Sequence, residues 1–192
     1  MKQMQAYFMM GTSGSGKSTI GRKIRDKIGS STHHPVYFSM DDCRHVLFME
    51  SGEPIPKGPA PLYAAAFQWC SEHREQFDEY VTKLWAEMLQ FALKHSSDVI
   101  CDNTHLNQGY REKWITELRE RGFFINLIYV KVPLDIVLER QKHRDKDVPR
   151  EVLEAQYAKL EEPLEHEYDR LIVIDGTKEI TDEEWQQFLS HN

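Results

Sequence analysis

Apolar positions along the chain fall into two regimes. Five short runs are almost continuously apolar: QAYFMM (5–10), PVYFSM (35–40), DVICD (98–102), INLIYVKV (125–132) and RLIVID (170–175). A strand with one wet face alternates apolar and polar residues, whereas a strand covered on both faces does not. The runs therefore predict strands of a sheet buried on both sides. Between them apolar residues recur at helical spacing over 17–28, 62–95, 109–121, 134–144 and 150–161. A last helix opens at TDEEW, where Thr181 and Glu184 fit a capping box. The 62–95 stretch keeps its period through Tyr63, Phe67, Cys70, Phe77, Val81, Leu84, Met88 and Ala92. It is long for one globular helix, and a break is expected near 71–75; its aromatics Phe67, Trp69 and Trp85 could stack on bases, but at helical spacing they are assigned to the core. Ahead of it SGEPIPKGPAP (51–61) carries too many prolines and glycines for helix or central strand, and reads as a mobile surface loop. Strand–helix alternation of this kind predicts an α/β fold: a doubly wound, mainly parallel five-stranded sheet flanked by helices, in one domain over 1–192.

Composition narrows the partners. A chain of 192 residues is large enough for one full core. A net charge of −7 argues against nucleic-acid binding over the whole surface but leaves room for a local basic groove. Cys43, Cys70 and Cys101 are odd in number and lack CxxC spacing, the pattern of reduced thiols in a cytoplasmic protein. No Cys/His spacing suggests a structural zinc. No apolar run approaches a membrane span, and MKQMQAYFMMG is too short before its glycine for a signal peptide.

The first strand leads into GTSGSGKST, covering Gly11, Thr12, Ser13, Gly14, Ser15, Gly16, Lys17, Ser18 and Thr19. This is G-x-x-x-x-G-K-[ST], between an apolar strand and an amphipathic helix. Its glycines permit torsions that turn successive N–H groups inward, and the helix adds its N-terminal dipole. Lys17 can reach the β- and γ-phosphates, and the Ser18 hydroxyl is placed for Mg²⁺. The stretch points to ATP with magnesium, without saying where the phosphate goes.

Ligands of parallel α/β sheets sit at the carboxyl ends of strands. The phosphate loop ends the first strand, SMDDCRH (39–45) the second and Asp102 the third, so all should line one crevice. A kinase needs a carboxylate to orient the attacking hydroxyl and take its proton. Asp41 or Asp42 can do so, and Arg44 can hold a phosphate of the acceptor bidentately. The plainer alternative is a helix cap, with Asp42 as N-cap of a helix through CRHVLF. Asp102 and Asn103 are assigned to the acceptor side, where such groups contact metal-bound water or orient an arginine, and Asn107 to turn chemistry. Further on, LERQKHRDKDVPREVL (138–153) places Arg140 and Arg144 four apart on one helix face. A solvated charged face is the common explanation for such a run. Beside a transferring phosphoryl group it instead reads as a helical lid over about 134–150, with arginines that stabilise the developing charge.

Together GTSGSGKST, SMDDCR, DNTHLN and RQKHRDKDVPREVLEAQY resemble the phage-type 5′-polynucleotide kinases, a family of P-loop kinases, in family order over nearly the whole chain. The resemblance implies Asp41 as general base, Arg44 as the grip on the acceptor's phosphate and Arg140 and Arg144 as the lid pair. Two departures stand out. Ser39-Met40 replaces an Asn-Arg or similar pair before the two aspartates, and the loop to VP is one residue shorter. Bifunctional members add a phosphatase opening with D-x-D-G-T, whereas VIDGT (173–177) has Val173 at the nucleophile's place, so no 3′-phosphatase is expected. Related kinases act on other acceptors: hydroxymethylated pyrimidines in phage DNA, nucleosides or small alcohols. The leading expectation is phosphotransfer from ATP to a polynucleotide hydroxyl, the 5′-OH of DNA or RNA. A nucleotide-hydrolysing switch is the reading from another class, and it would need no alcohol acceptor.

Overall fold

A computed structural model of the chain describes residues 3–142 and 148–189. In chain order the elements are β1 (Gln5–Met10), α1 (Lys17–Ile28), β2 (Val36–Ser39), α2 (Met40–Glu50), α3 (Pro59–Glu72) and α4 (Arg74–His95). There follow β3 (Val99–Asp102), α5 (Gln108–Glu120), β4 (Phe124–Lys131), α6 (Leu134–Gln141), α7 (Arg150–Ala158), a 3-10 turn (Glu165–Glu167), β5 (Arg170–Asp175) and α8 (Asp182–Leu189). The sheet has five strands in the order β2-β3-β1-β4-β5, every pair parallel. The chain winds to one side of β1 through β2 and β3, then crosses to the other through β4 and β5. The crevice outside the carboxyl ends of β1 and β3 is therefore the switch point at which such sheets bind ligands.

The continuous apolar runs have the expected cause. Ala6, Phe8 and Met10 of β1 pack on one face with Phe38, Trp85 and Trp114, while Tyr7 and Met9 pack on the other with Ile24, Ile100 and Leu153. All six β1 residues are buried, so neither face admits a polar alternation. The long helical stretch breaks at His73, which closes α3 and opens α4.

Several boundaries differ from the sequence reading, and α7 ends at Ala158 rather than 161. The strand over 35–40 stops at Ser39, because the Ser39 hydroxyl accepts the Asp42 N–H at 3.2 Å and starts α2 at once. Ser39, not Asp42, is the N-cap. The loop over 51–61 ends at Gly58, since Pro59 falls in the first turn of α3, where a missing N–H costs nothing. The lid helix ends at Gln141 with Lys142 as its C-cap, and residues 143–147 lie outside the described residues. Among the described residues no helix is long and apolar enough to cross a membrane. Cys43, Cys70 and Cys101 are buried and unpaired, and burial pushes the Cys43 thiol up to about 12.

Candidate functional site

The phosphate loop is wrapped by backbone that only glycine adopts easily. Gly11, Gly14 and Gly16 have φ of 144°, 85° and 95°. At Gly11 a Cβ would also lie 2.7 Å from the Val130 carbonyl oxygen. No side chain caps the start of α1 and its first turn carries no acid, so its N–H groups and dipole remain available to an anion. Lys17 is buried with its ammonium 3.4 Å from the Thr12 carbonyl oxygen, folded over the loop. Two elements brace this loop from outside. The Gly11 N–H donates to Thr104 at 3.0 Å, and Gln156 of α7 accepts the Ser13 N–H at 2.7 Å while donating to the Ser13 hydroxyl at 3.1 Å.

On the other wall, Asp41 and Asp42 occupy the first turn of α2, where the dipole favours carboxylates. Asp41 faces the cleft and accepts a hydrogen bond from Arg44 at 2.9 Å. The guanidinium is flanked by aromatic rings, its carbon 5.4 Å from the centre of Phe67 and 5.3 Å from Phe77. Arg44 is thus fixed in place and fixes Asp41 in turn. Asp42 is exposed at the rim of a neighbouring part of the same cleft, near Arg22. One cleft of about 110 Å³ joins Ser13, Lys17 and Ser18 to Asp41, Arg44, Asp102 and Asn103.

Asp102 ends β3 at 6% exposure. One carboxylate oxygen accepts the Tyr37 hydroxyl at 2.7 Å, and the other has no hydrogen-bond partner among the described residues. Burial, then the Asp102 charge, push the Tyr37 phenol far up, so it stays a donor at any working pH. A buried carboxylate oxygen without a partner is costly unless a cation or its water meets it. With the Ser18 hydroxyl in the same cleft, the donor set is all oxygen, as a hard Mg²⁺ requires. The residues present fit magnesium.

The remaining assigned residues fall differently. Asn103 spends its amide on the loop itself, accepting from the Thr104 N–H at 2.8 Å and donating to the Tyr110 hydroxyl at 2.9 Å. Asn107 caps α5 through the Tyr110 N–H at 2.9 Å. Arg140 donates to the Gly176 carbonyl at 2.7 Å, on the turn after β5, and does not line the cleft in this structure. Arg144 lies outside the described residues.

Several residues at the site had no motif to betray them. Tyr37 sits inside an apolar run, and Gln156 inside an amphipathic helix. Arg111 is fully buried, paired bidentately with Glu167 at 2.8 and 2.9 Å and donating to the carbonyls of His105, Leu106 and Glu161. It pins the segment that carries Asn103 and Thr104. Burial raises the Glu167 carboxyl, and the Arg111 guanidinium with the Leu164 N–H more than reverses this, leaving it below its usual value. The aromatics divide, too. Trp85 is core, whereas Phe67, which helical spacing places inside, is 44% exposed and lines the cleft.

Residues 7–163 match the AAA domain family. The chain belongs to that family. It is 27% identical over 109 residues to the L-seryl-tRNA(Sec) kinase of Methanococcus maripaludis, over 56% of this chain and 43% of that one. It is 25% identical over 166 residues to a protein of Autographa californica nuclear polyhedrosis virus assigned as a bifunctional polynucleotide kinase/RNA ligase, over 85% of this chain and 22% of the viral one. The chain thus spans less than half the length of either relative. The structure of deoxyadenosine kinase from M. mycoides with bound dATP superposes with a TM-score of 0.56 at 17% identity, over 98% of this chain and all of that one. That likeness shows the fold. The chain has the P-loop kinase fold.

Proposed function

We propose that the protein transfers the γ-phosphate of ATP, with magnesium, to a hydroxyl of a polynucleotide, foremost the 5′-OH of DNA or RNA. One observation carries the reading: a carboxylate held by an arginine, Asp41 on Arg44, faces the same cleft as Lys17 and Ser18. A hydrolysing switch has to position water and has no use for an arginine-braced carboxylate on the acceptor wall. Both relatives are named for acceptors built on nucleic acid, seryl-tRNA and polynucleotide, which supports the same choice.

In this reading the loop N–H groups and Lys17 bind the donor's phosphates. Ser18 and Asp102 would hold Mg²⁺, which neutralises charge on the β- and γ-oxygens. Asp41 orients the acceptor hydroxyl and accepts its proton as the new O–P bond forms. The bond from the γ-phosphorus to the bridging oxygen breaks, and ADP leaves with that electron pair. Arg44 holds Asp41 and offers its remaining donors to a phosphate of the acceptor. Lys17, with Arg144 and Arg140 of the lid, offsets charge on the transferring group, Arg140 after release from the Gly176 carbonyl. Val173 supplies no nucleophile, so 3′-phosphorylated ends should keep their phosphate.

Transfer of labelled γ-phosphate with Mg²⁺ onto a panel of acceptors tests the reading. The panel holds 5′-OH DNA and RNA oligomers, 5′-phosphorylated controls, DNA with hydroxymethylated pyrimidines, and free nucleosides. Label on 5′-OH ends is expected. Label only on modified bases or nucleosides moves the acceptor, and ATP hydrolysis with no labelled acceptor contradicts a kinase.

A further inference from the structure

We propose that Tyr63 and Phe67, on one face of α3, form a stacking platform for the base of the acceptor's terminal nucleotide. The site thereby selects an alcohol that carries a base. The inference rests on the polynucleotide-kinase reading and deepens it.

The two side chains are one helical turn apart, with ring centres 6.5 Å apart and planes 28° from parallel. Both line the cleft that holds Asp41, Lys17 and Ser18. Phe67 is 44% exposed, while its α3 neighbours Ala66 and Cys70 are buried in the core. The ring is therefore presented to the cleft by the helix that seats those neighbours, and is not left over from core packing. Its distance from the chemistry is short: the Arg44 guanidinium reaches Asp41 at 2.9 Å and lies 5.4 Å from the Phe67 ring centre. An acceptor whose hydroxyl meets Asp41 brings its attached group towards Arg44 and these rings.

Chemistry then selects the occupant. A polyol entering this wall would bury hydroxyls against ring faces that cannot satisfy them. A nucleobase needs only a π-face, and stacking tolerates any base. The arginine beside the ring suits the phosphate that follows a terminal nucleotide. Ile55 and Phe91 are also exposed, but neither lines the cleft.

The test measures KM and kcat separately for 5′-OH oligonucleotides whose first residue either bears a base or is abasic. The enzymes are wild type, Phe67→Ala and Phe67→Trp. For wild type, removing the base should raise KM about tenfold, the scale of one base–aromatic stack. Phe67→Ala should raise KM for the base-bearing end to that of the abasic end, and Phe67→Trp should restore the difference. Equal KM for both ends in wild type, or discrimination that survives Phe67→Ala, overturns the platform while leaving the kinase reading intact. Wild type that phosphorylates a small alcohol and neither oligonucleotide overturns the polynucleotide reading and the platform with it.

Discussion

In the proposed function Asp102 has a task for each of its carboxylate oxygens. Tyr37 holds one at 2.7 Å, and the other, without a hydrogen-bond partner among the described residues, would meet the cation or its water. Removing the hydroxyl should therefore loosen the carboxylate, at the loss of only one long contact to the phosphate loop, 3.4 Å to the Ser18 carbonyl. Partners of this kind contribute about 10–100-fold in metal affinity. Tyr37→Phe should raise the Mg²⁺ concentration for half-maximal phosphotransfer by about tenfold, with ATP affinity in the absence of metal unchanged. A magnesium titration of both proteins checks it. Asp102 was legible in the sequence because a lone carboxylate ending an apolar run at the sheet's carboxyl edge has few structural uses. Tyr37 was not, because a tyrosine within such a run looks like any other core residue. Phe67 failed in the opposite direction, since helical periodicity shows which positions share a face but not whether that face meets core or cleft.

At the scale of elements, the acceptor wall depends on α5 and its buried ion pair. Arg111 satisfies Glu167 and three carbonyls at zero exposure, joining the start of α5 to the segment after α7. Removing one partner of a buried pair leaves an uncompensated charge and costs about 3–5 kcal/mol. Arg111→Ala should lose about that much in urea unfolding, against a few tenths for exposed Arg74→Ala, whose pair with Asp78 lies in solvent. Nothing in YREKW distinguishes a buried arginine from a solvated one, for the partner lies 56 residues away in sequence. Capping was only half legible. Asp42 has the right residue type, but Ser39 reaches the helix first, and both aspartates become first-turn residues at the cleft. By contrast the strands and the break at His73 were readable, because burial on both faces and helix length leave few alternatives.

At the scale of the whole molecule, pH acts through His105, buried between β1 and α5. Its ring donates to the Met9 carbonyl, with Asp102, Arg111 and Lys17 as the charges that bear on it. Burial lowers its pKa to about 4, against the usual 6.5, outweighing the Met9 bond and the Asp102 charge that favour protonation. Between these values the unfolded chain binds a proton that the native protein does not, so stability falls as pH drops from 6.5 towards about 4. Each unit within that window costs at most about 1.4 kcal/mol. Glu167, lowered from 4.5, adds its own loss only below that value. Melting temperatures between pH 6.5 and 4.5 should decline in the wild type and flatten in His105→Asn, whose amide can still donate to Met9 and whose side chain tolerates the φ of 47°.

The central claim is that Asp41 is the base on the acceptor side of a phosphotransfer cleft. Phosphate transfer from ATP to a 5′-OH oligonucleotide, measured for wild type and Asp41→Asn beside ATP affinity, tests it most directly. A fall in kcat of about 10²–10⁴ with ATP affinity held within a few-fold is the predicted result. Undiminished transfer by Asp41→Asn would contradict the account and leave Asp41 as a first-turn residue of α2.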